Sequence, residues 1–268
     1  MGENSREDFA KRRVVYRLAA EELVTVDRDR RYASSSGEEL PFDVYRAASD
    51  GSAPPHPAVL LVAGYNDEGM RRFAGCAAKN LGAFESWARL IAASGLTAIT
   101  YECREPGADA RAILAHVRAS AATLGIDSTR LGLWACSGHV PTALAIAMHE
   151  RDFGCAAFLY GYTIDIDDHR EVADAAAMFR FAVPASGRPL TDLTGTLPLL
   201  LVRAGGDRMP GLNQAMDRFV IALLARNAPV TLVNHASGPH AFELEDDGPG
   251  TRTAIRQVLT FLAAHLRP

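Results

Sequence analysis

Short apolar runs separated by amphipathic stretches recur along most of this 268-residue chain. Ala58–Ala63, Leu96–Tyr101, Cys155–Tyr160, Leu197–Val202 and Val230–Val233 are too short for buried helices and are bounded by turn residues, so each predicts a buried strand. Leu131, Leu133 and Trp134 supply one more. Between these runs, Phe84, Trp87, Leu90 and Ile91 fall at helical spacing in Phe84–Ser94, with Gly95 closing the helix. Ile113, Leu114 and Val117 line one face of Asp109–Leu124, and Gly211–Arg226 and Thr251–Leu266 predict two further helices. Toward the N-terminus the pattern gives a short helix near Asp8–Ala20, then strands at Leu23–Tyr32 and Leu40–Ala47. Asp50–His56, rich in Ser, Gly and Pro, reads as a turn rather than a domain linker. Strands that alternate with helices predict an α/β fold, a mostly parallel sheet flanked by helices.

One region breaks the rhythm. Residues 163–195 carry little strand signal, and a stretch of that length between core strands implies a functional insertion. Within it Ala175, Ala176, Ala177, Met178, Phe179 and Phe181 predict a short amphipathic helix that either leans over the site as a cap or only covers the sheet. With 48% hydrophobic residues, the 268-residue chain can bury one large core, so a single domain spanning 1–268 is expected.

Composition narrows the partners. The net charge of −4 and the scattered basic residues leave no footprint for nucleic acid. Nearly all positive charge is arginine, with lysine only at Lys11 and Lys79. MGENSREDFAKRR lacks the apolar run of a secretion signal, and no stretch approaches the ~20 apolar residues that span a membrane, so a cytoplasmic protein without a membrane partner is expected. Cys76, Cys103, Cys136 and Cys155 lack metal-ligand spacing and read as reduced thiols.

The segment Arg130–Ala147, RLGLWACSGHVPTALAIA, carries the chemistry. It reads as a buried strand, a sharp turn and a helix whose first turn accommodates Pro141. A side chain on such a turn faces outward from the strand end, and the following backbone N–H groups point at the same spot.

The order of elements, the segment GIDSTRLGLWACSGH and the later AGGD and GPHAF segments together resemble the α/β-hydrolase superfamily over about residues 40–268. Compact dienelactone-hydrolase-like esterases are the nearest pattern within it. The resemblance implies the α/β-hydrolase fold and a nucleophile, acid and histidine in that chain order, each after a strand. Two positions compete for the nucleophile. Ala135 supplies the small residue the family places two before a nucleophile at Ser137, whereas Trp134 would occupy that place for Cys136. Arg130 also lies seven positions before Ser137, as the family's strand-opening basic residue does. Against serine, His139 stands where the family has a small residue two after the nucleophile, and only the cysteine register puts Gly138 there. Ser137 is favoured, and His139 is assigned to the pocket wall.

By the same resemblance His240, on a Gly-Pro turn after the last strand, is the base, with His235 its competitor. Asp207, which follows Gly205 and Gly206 at a strand end, is the acid, with Asp165 in reserve. The oxyanion donors map to the backbone N–H groups of Tyr65 and Gly138. Asn66, His139, Met178 and Phe179 are the expected substrate contacts. These roles describe a serine hydrolase that cleaves a carboxylic ester, lactone or thioester through an acyl-enzyme. No cofactor or metal is required, and the expected partner is a small acyl substrate. An acyltransferase on the same residues and a catalytically silent binding protein of the same fold are the alternatives, and homo-oligomerisation is left open.

Overall fold

A computed structural model describes residues 8–47 and 55–267. Among the described residues, eight strands form one sheet in the order β1-β2-β4-β3-β5-β6-β7-β8. They are β1 (Thr25–Ala33), β2 (Glu39–Arg46), β3 (His56–Leu61), β4 (Thr97–Tyr101), β5 (Ile126–Cys136), β6 (Phe153–Leu159), β7 (Leu199–Ala204) and β8 (Val230–His235). β2 runs antiparallel to both β1 and β4, and β3 to β8 run parallel to one another. Parallel strands need crossovers, and the crossovers carry helices: α1 (Asp67–Ala74), α2 (Gly82–Ala93), α3 (Pro106–Ala119), α4 (Val140–His149), α5 (Glu171–Phe179) and α6 (Leu212–Ala225), while α7 (Pro249–Leu266) follows β8.

The central strands are near-continuous apolar runs because helices cover both faces of the sheet. Val59, Leu61, Ala98, Leu133, Trp134, Ala156 and Leu201 are all fully buried. At the edge β8 this coverage fails, and Thr231, Leu232 and Asn234 are exposed.

Local differences from the sequence pattern have identifiable causes. The expected helix over Asp8–Ala20 is reduced to one helical turn at residues 8–11 and a 3-10 turn at Ala19–Leu23. Val14 N–H donates to Ser86 Oγ at 3.0 Å and Val15 N–H to the Glu243 carbonyl at 2.8 Å, so this segment spends its donors on the body of the protein. The helix expected over Asp109–Leu124 begins at Pro106, breaks at Ser120 and resumes for one turn at Ala121–Leu124. Most of the turn expected at Asp50–His56 lies outside the described residues, and His56 already opens β3. α1 is new relative to the sequence pattern. Its residues DEGMRRFA are mostly polar, and its start is fixed by Asn66, whose side chain accepts from Gly69 N–H.

A buried ionic cluster fastens the antiparallel edge to the helices. Lys79 is 3% exposed, and its Nζ lies 2.9 Å from Asp29 Oδ1 and 3.0 Å from the fully buried Asp43 carboxylate. Asp29 adopts a left-handed backbone (φ 54°) at the irregularity between Asp27 and Arg30, and its N–H also donates to Asp43. Removing one partner of such a buried pair strands the other charge. Lys79→Met is therefore expected to lower stability by about 3 kcal/mol, read as a shift of the urea midpoint at unchanged slope. A change within about 0.5 kcal/mol would show that Asp43 is adequately served by Arg28 and the backbone.

Candidate active site

β5 ends at Cys136, and the chain turns directly through a 3-10 turn, Ser137–His139, into α4. Ser137 takes a left-handed conformation, φ 52°, which costs a non-glycine residue about 1–3 kcal/mol unless the surroundings hold it. The holding contact comes from the turn after β3. A Cβ on Gly64 would stand 2.5 Å from the Gly138 carbonyl oxygen and 2.6 Å from His139 Cα, so only glycine permits the two turns to pack this closely.

Ser137, His240 and Asp207 come together at this end of the sheet. Ser137 Oγ lies 2.9 Å from His240 Nε2, and His240 Nδ1 lies 2.6 Å from Asp207 Oδ2. The Asp207 side chain is fully buried, and its other oxygen accepts Met209 N–H at 2.8 Å. β7 and β8 are neighbours, which brings the two loops within reach of one another: Gly205 N–H donates to the His235 carbonyl and Gly206 N–H to the Gly238 carbonyl. His235 stands apart. Its Nε2 pairs with Thr251 Oγ1 at 3.0 Å, beside the start of α7.

Cys136 faces the other way. It neighbours Tyr160 and Glu243; burial pushes its thiol well up, and Glu243 adds to the rise. Those neighbours form a buried polar cluster that the sequence did not disclose. Glu243 Oε1 accepts from the Tyr160 hydroxyl and, at 3.2 Å, from Trp87 Nε1, and burial raises its carboxyl above the ordinary range. The Tyr160 ring packs edge-on against His240 at 5.0 Å, so the cluster forms the floor beneath the imidazole. A glutamate three residues after a histidine reads as a surface charge. Its pairing partners lie 83 and 156 residues away.

The other expected residues divide. Tyr65 Oη and Phe181 Cδ1 occupy the space that a Gly138 side chain would need, so Tyr65 lies against the turn. Phe181 stacks on Tyr162 at 5.1 Å and meets Tyr65 edge-on at 6.2 Å. These rings belong to a second apolar cluster with Val172, Leu212 and Ala215, packed by the partly buried Phe179. Met178, expected at the pocket, is instead 63% exposed on the outer face of α5. Asn66, likewise expected at the substrate, is spent as the cap of α1. His139 is no open wall: it is 6% exposed, lies beneath Tyr65, and accepts Gly64 N–H on Nδ1 at 2.8 Å. Asp165 binds the first turn of α5 through Val172 N–H and Ala173 N–H, at 2.8 and 2.9 Å. Among the described residues no group of three or more His, Cys, Asp and Glu could hold a metal ion, and no helix is long and apolar enough to cross a membrane.

No family model matches the sequence, and no curated protein matches it. Solved structures do. A thermostable esterase from Pseudomonas putida aligns at a TM-score of 0.73 with 18% identity, over 99% of this chain and 90% of that one. A bacterial heroin esterase aligns at 0.70 with 16% identity, over 92% and 86%. Esterase LipW from Mycobacterium marinum aligns at 0.70 with 16% identity, over 93% and 84%. The chain has the α/β-hydrolase fold. In this chain the left-handed turn at Ser137 packs closely on the β3 turn. Gly64→Ala should therefore lose about 1–3 kcal/mol of stability in urea unfolding, because both contacts are backbone and cannot rotate away. Native stability in that variant would show that the two turns separate freely.

Proposed function

We propose that this protein is a serine hydrolase of carboxylic esters, lactones or thioesters, working through an acyl-enzyme on Ser137. The observation that carries the reading is the continuous relay from Ser137 Oγ through His240 to the buried Asp207 carboxylate, at 2.9 and 2.6 Å. Support also comes from the structural neighbours, which are named esterases.

In this reading Ser137 Oγ attacks the acyl carbon as His240 Nε2 takes its proton, and Asp207 holds the ring and stabilises the imidazolium. The carbonyl π electrons move onto oxygen, where the N–H groups of Gly138 and Tyr65 receive them. The Tyr65 donor is aimed by its own peptide. The Gly64 carbonyl accepts Ala182 N–H at 2.8 Å, and in a trans peptide the Tyr65 N–H must then point the opposite way. His240 returns the proton to the leaving oxygen or sulfur, and water repeats the sequence to release the acid.

The reading requires the acyl group to reside on Ser137. Trapping with a slow-turnover aryl ester and mapping the modified peptide should place it there, and Ser137→Ala should abolish both trapping and turnover. An acyl group on Cys136, or turnover surviving in pure Ser137→Ala protein, refutes the assignment. Iodoacetamide at pH 8 should leave Cys136 largely unmodified in the folded protein, because its raised thiol supplies little thiolate. Asp207→Asn should cut kcat by roughly 10⁴-fold, as loss of the orienting carboxylate does in other triads, whereas His235→Ala should leave it near native.

The cap supplies a second test. Phe181→Ala should shift the preferred acyl or alcohol size, since pocket mismatches of a methylene are worth about 1–3 kcal/mol. Met178→Ala should change neither preference nor turnover, because that side chain points to solvent. Equal effects of the two variants across an ester series would remove the cap from specificity.

A further inference from the structure

His139 occupies a position where the resemblance calls for a small residue, and the structure gives it a specific task. Its imidazole is buried between two rings, with Tyr65 edge-on at 5.0 Å and Phe84 at 4.9 Å. Nδ1 accepts the Gly64 N–H at 2.8 Å. An imidazole that accepts on Nδ1 carries its proton on Nε2, so one tautomer is selected. Burial lowers its pKa to about 3, which keeps that acceptor available across the range in which a neutral triad histidine works.

The consequence lies one peptide further along. Gly64 is held at both ends: its N–H by His139 and its carbonyl by Ala182 N–H at 2.8 Å. Glycine has no side chain to limit its torsions; the Ala182 bond orients the Gly64–Tyr65 peptide and the His139 bond holds the preceding Ala63–Gly64 peptide, so the Gly64 torsions that connect the two are fixed from both ends. That peptide carries the Tyr65 N–H. We propose that His139 is a positioning residue for the oxyanion site, fixing the aim of the Tyr65 N–H by accepting the Gly64 N–H from within the nucleophile turn. This inference rests on the serine-hydrolase reading above. It adds that the turn bearing Ser137 and the turn bearing the second oxyanion donor are registered to one another by a side chain of the former.

The substitution series follows from atom positions. In His139→Asn the amide Oδ1 hangs from Cγ as Nδ1 does, so the acceptor is retained. In His139→Leu comparable bulk remains but no acceptor does. With p-nitrophenyl acetate as probe, His139→Leu should lower kcat roughly 10- to 100-fold at near-native KM, less than the loss of a whole oxyanion donor. His139→Asn should recover most of that loss. An aryl trifluoromethyl ketone, whose adduct with Ser137 Oγ places negative charge on the former carbonyl oxygen, should weaken in His139→Leu and recover in His139→Asn in parallel.

A merely structural histidine would give another pattern. The two variants would then lose kcat in proportion to melting temperature, or the loss would fall on KM, and the ketone would not discriminate between them; either result overturns the proposal. Should His139→Leu fail to fold, the native protein still decides. Selective ¹⁵N labelling of glycine and histidine should reveal a through-hydrogen-bond coupling between the Gly64 amide and His139 Nδ1, with Nδ1 unprotonated from pH 6 to 8. A protonated Nδ1 or an absent coupling overturns it. Ser137→Ala in the same assay separates the two levels: an active Ser137→Ala defeats the serine reading, whereas a silent Ser137→Ala beside an unimpaired His139→Leu defeats only the role of His139.

Discussion

The packing of the β3 turn against the β5 turn is the constraint on which the site depends. Ser137 sits on left-handed backbone that a non-glycine residue does not hold by itself, and Gly64 is pressed against Gly138 and His139 at distances that exclude a methyl group. β3 and β5 are parallel neighbours in the sheet, paired from Ala58 with Leu131 to Leu61 with Trp134, so both turns leave the same edge at the same height. Sheet register thus delivers the two turns, and the absence of a side chain at Gly64 lets them meet. Any geometry that Ser137 offers a substrate inherits its precision from this contact.

The opposite side of the site rests on a similar arrangement. β7 and β8 run in register from Leu199 with Val230 to Ala204 with His235, and the loop after β7 donates backbone hydrogen bonds to the end of β8 and the loop after it. The Asp207 carboxylate is consequently buried with both oxygens occupied, and His240 is held between it and Ser137. Below the imidazole, the Tyr160 ring is itself anchored by Glu243. A floor of this kind restricts the ring without supplying a competing acceptor to its nitrogens, since the hydroxyl is turned toward the glutamate.

Coverage from above comes from the segment between β6 and β7. Asp165 fastens the first turn of α5, Ala182 N–H fastens the segment to Gly64, and Phe181 fills the space over Gly138. The segment between β6 and β7 and the β3 turn are therefore joined by a backbone hydrogen bond.

The amino-acid sequence by itself determined the layered α/β arrangement, because apolar runs of strand length and helical stripes are local patterns that burial on two faces imposes. It also brought forward Ser137, Asp207 and His240, each of which follows a legible strand with a turn signal. It did not disclose α1, an eight-residue helix with Met70, Phe73 and Ala74 as its few apolar positions, nor the solvent-facing direction of Met178, which one residue of helical phase decides. Tertiary structure alone decided what His139 contacts. The bond from Gly64 spans 75 residues, and whether a histidine beside a nucleophile lines a pocket or accepts a distant amide depends on which turn the sheet lays against it. The same holds for Glu243, a surface charge by local pattern that becomes a buried acceptor because Trp87 and Tyr160 arrive from other elements. Local periodicity records which face of an element is apolar, whereas a contact between turns is set by strand order and register, and no single segment encodes those.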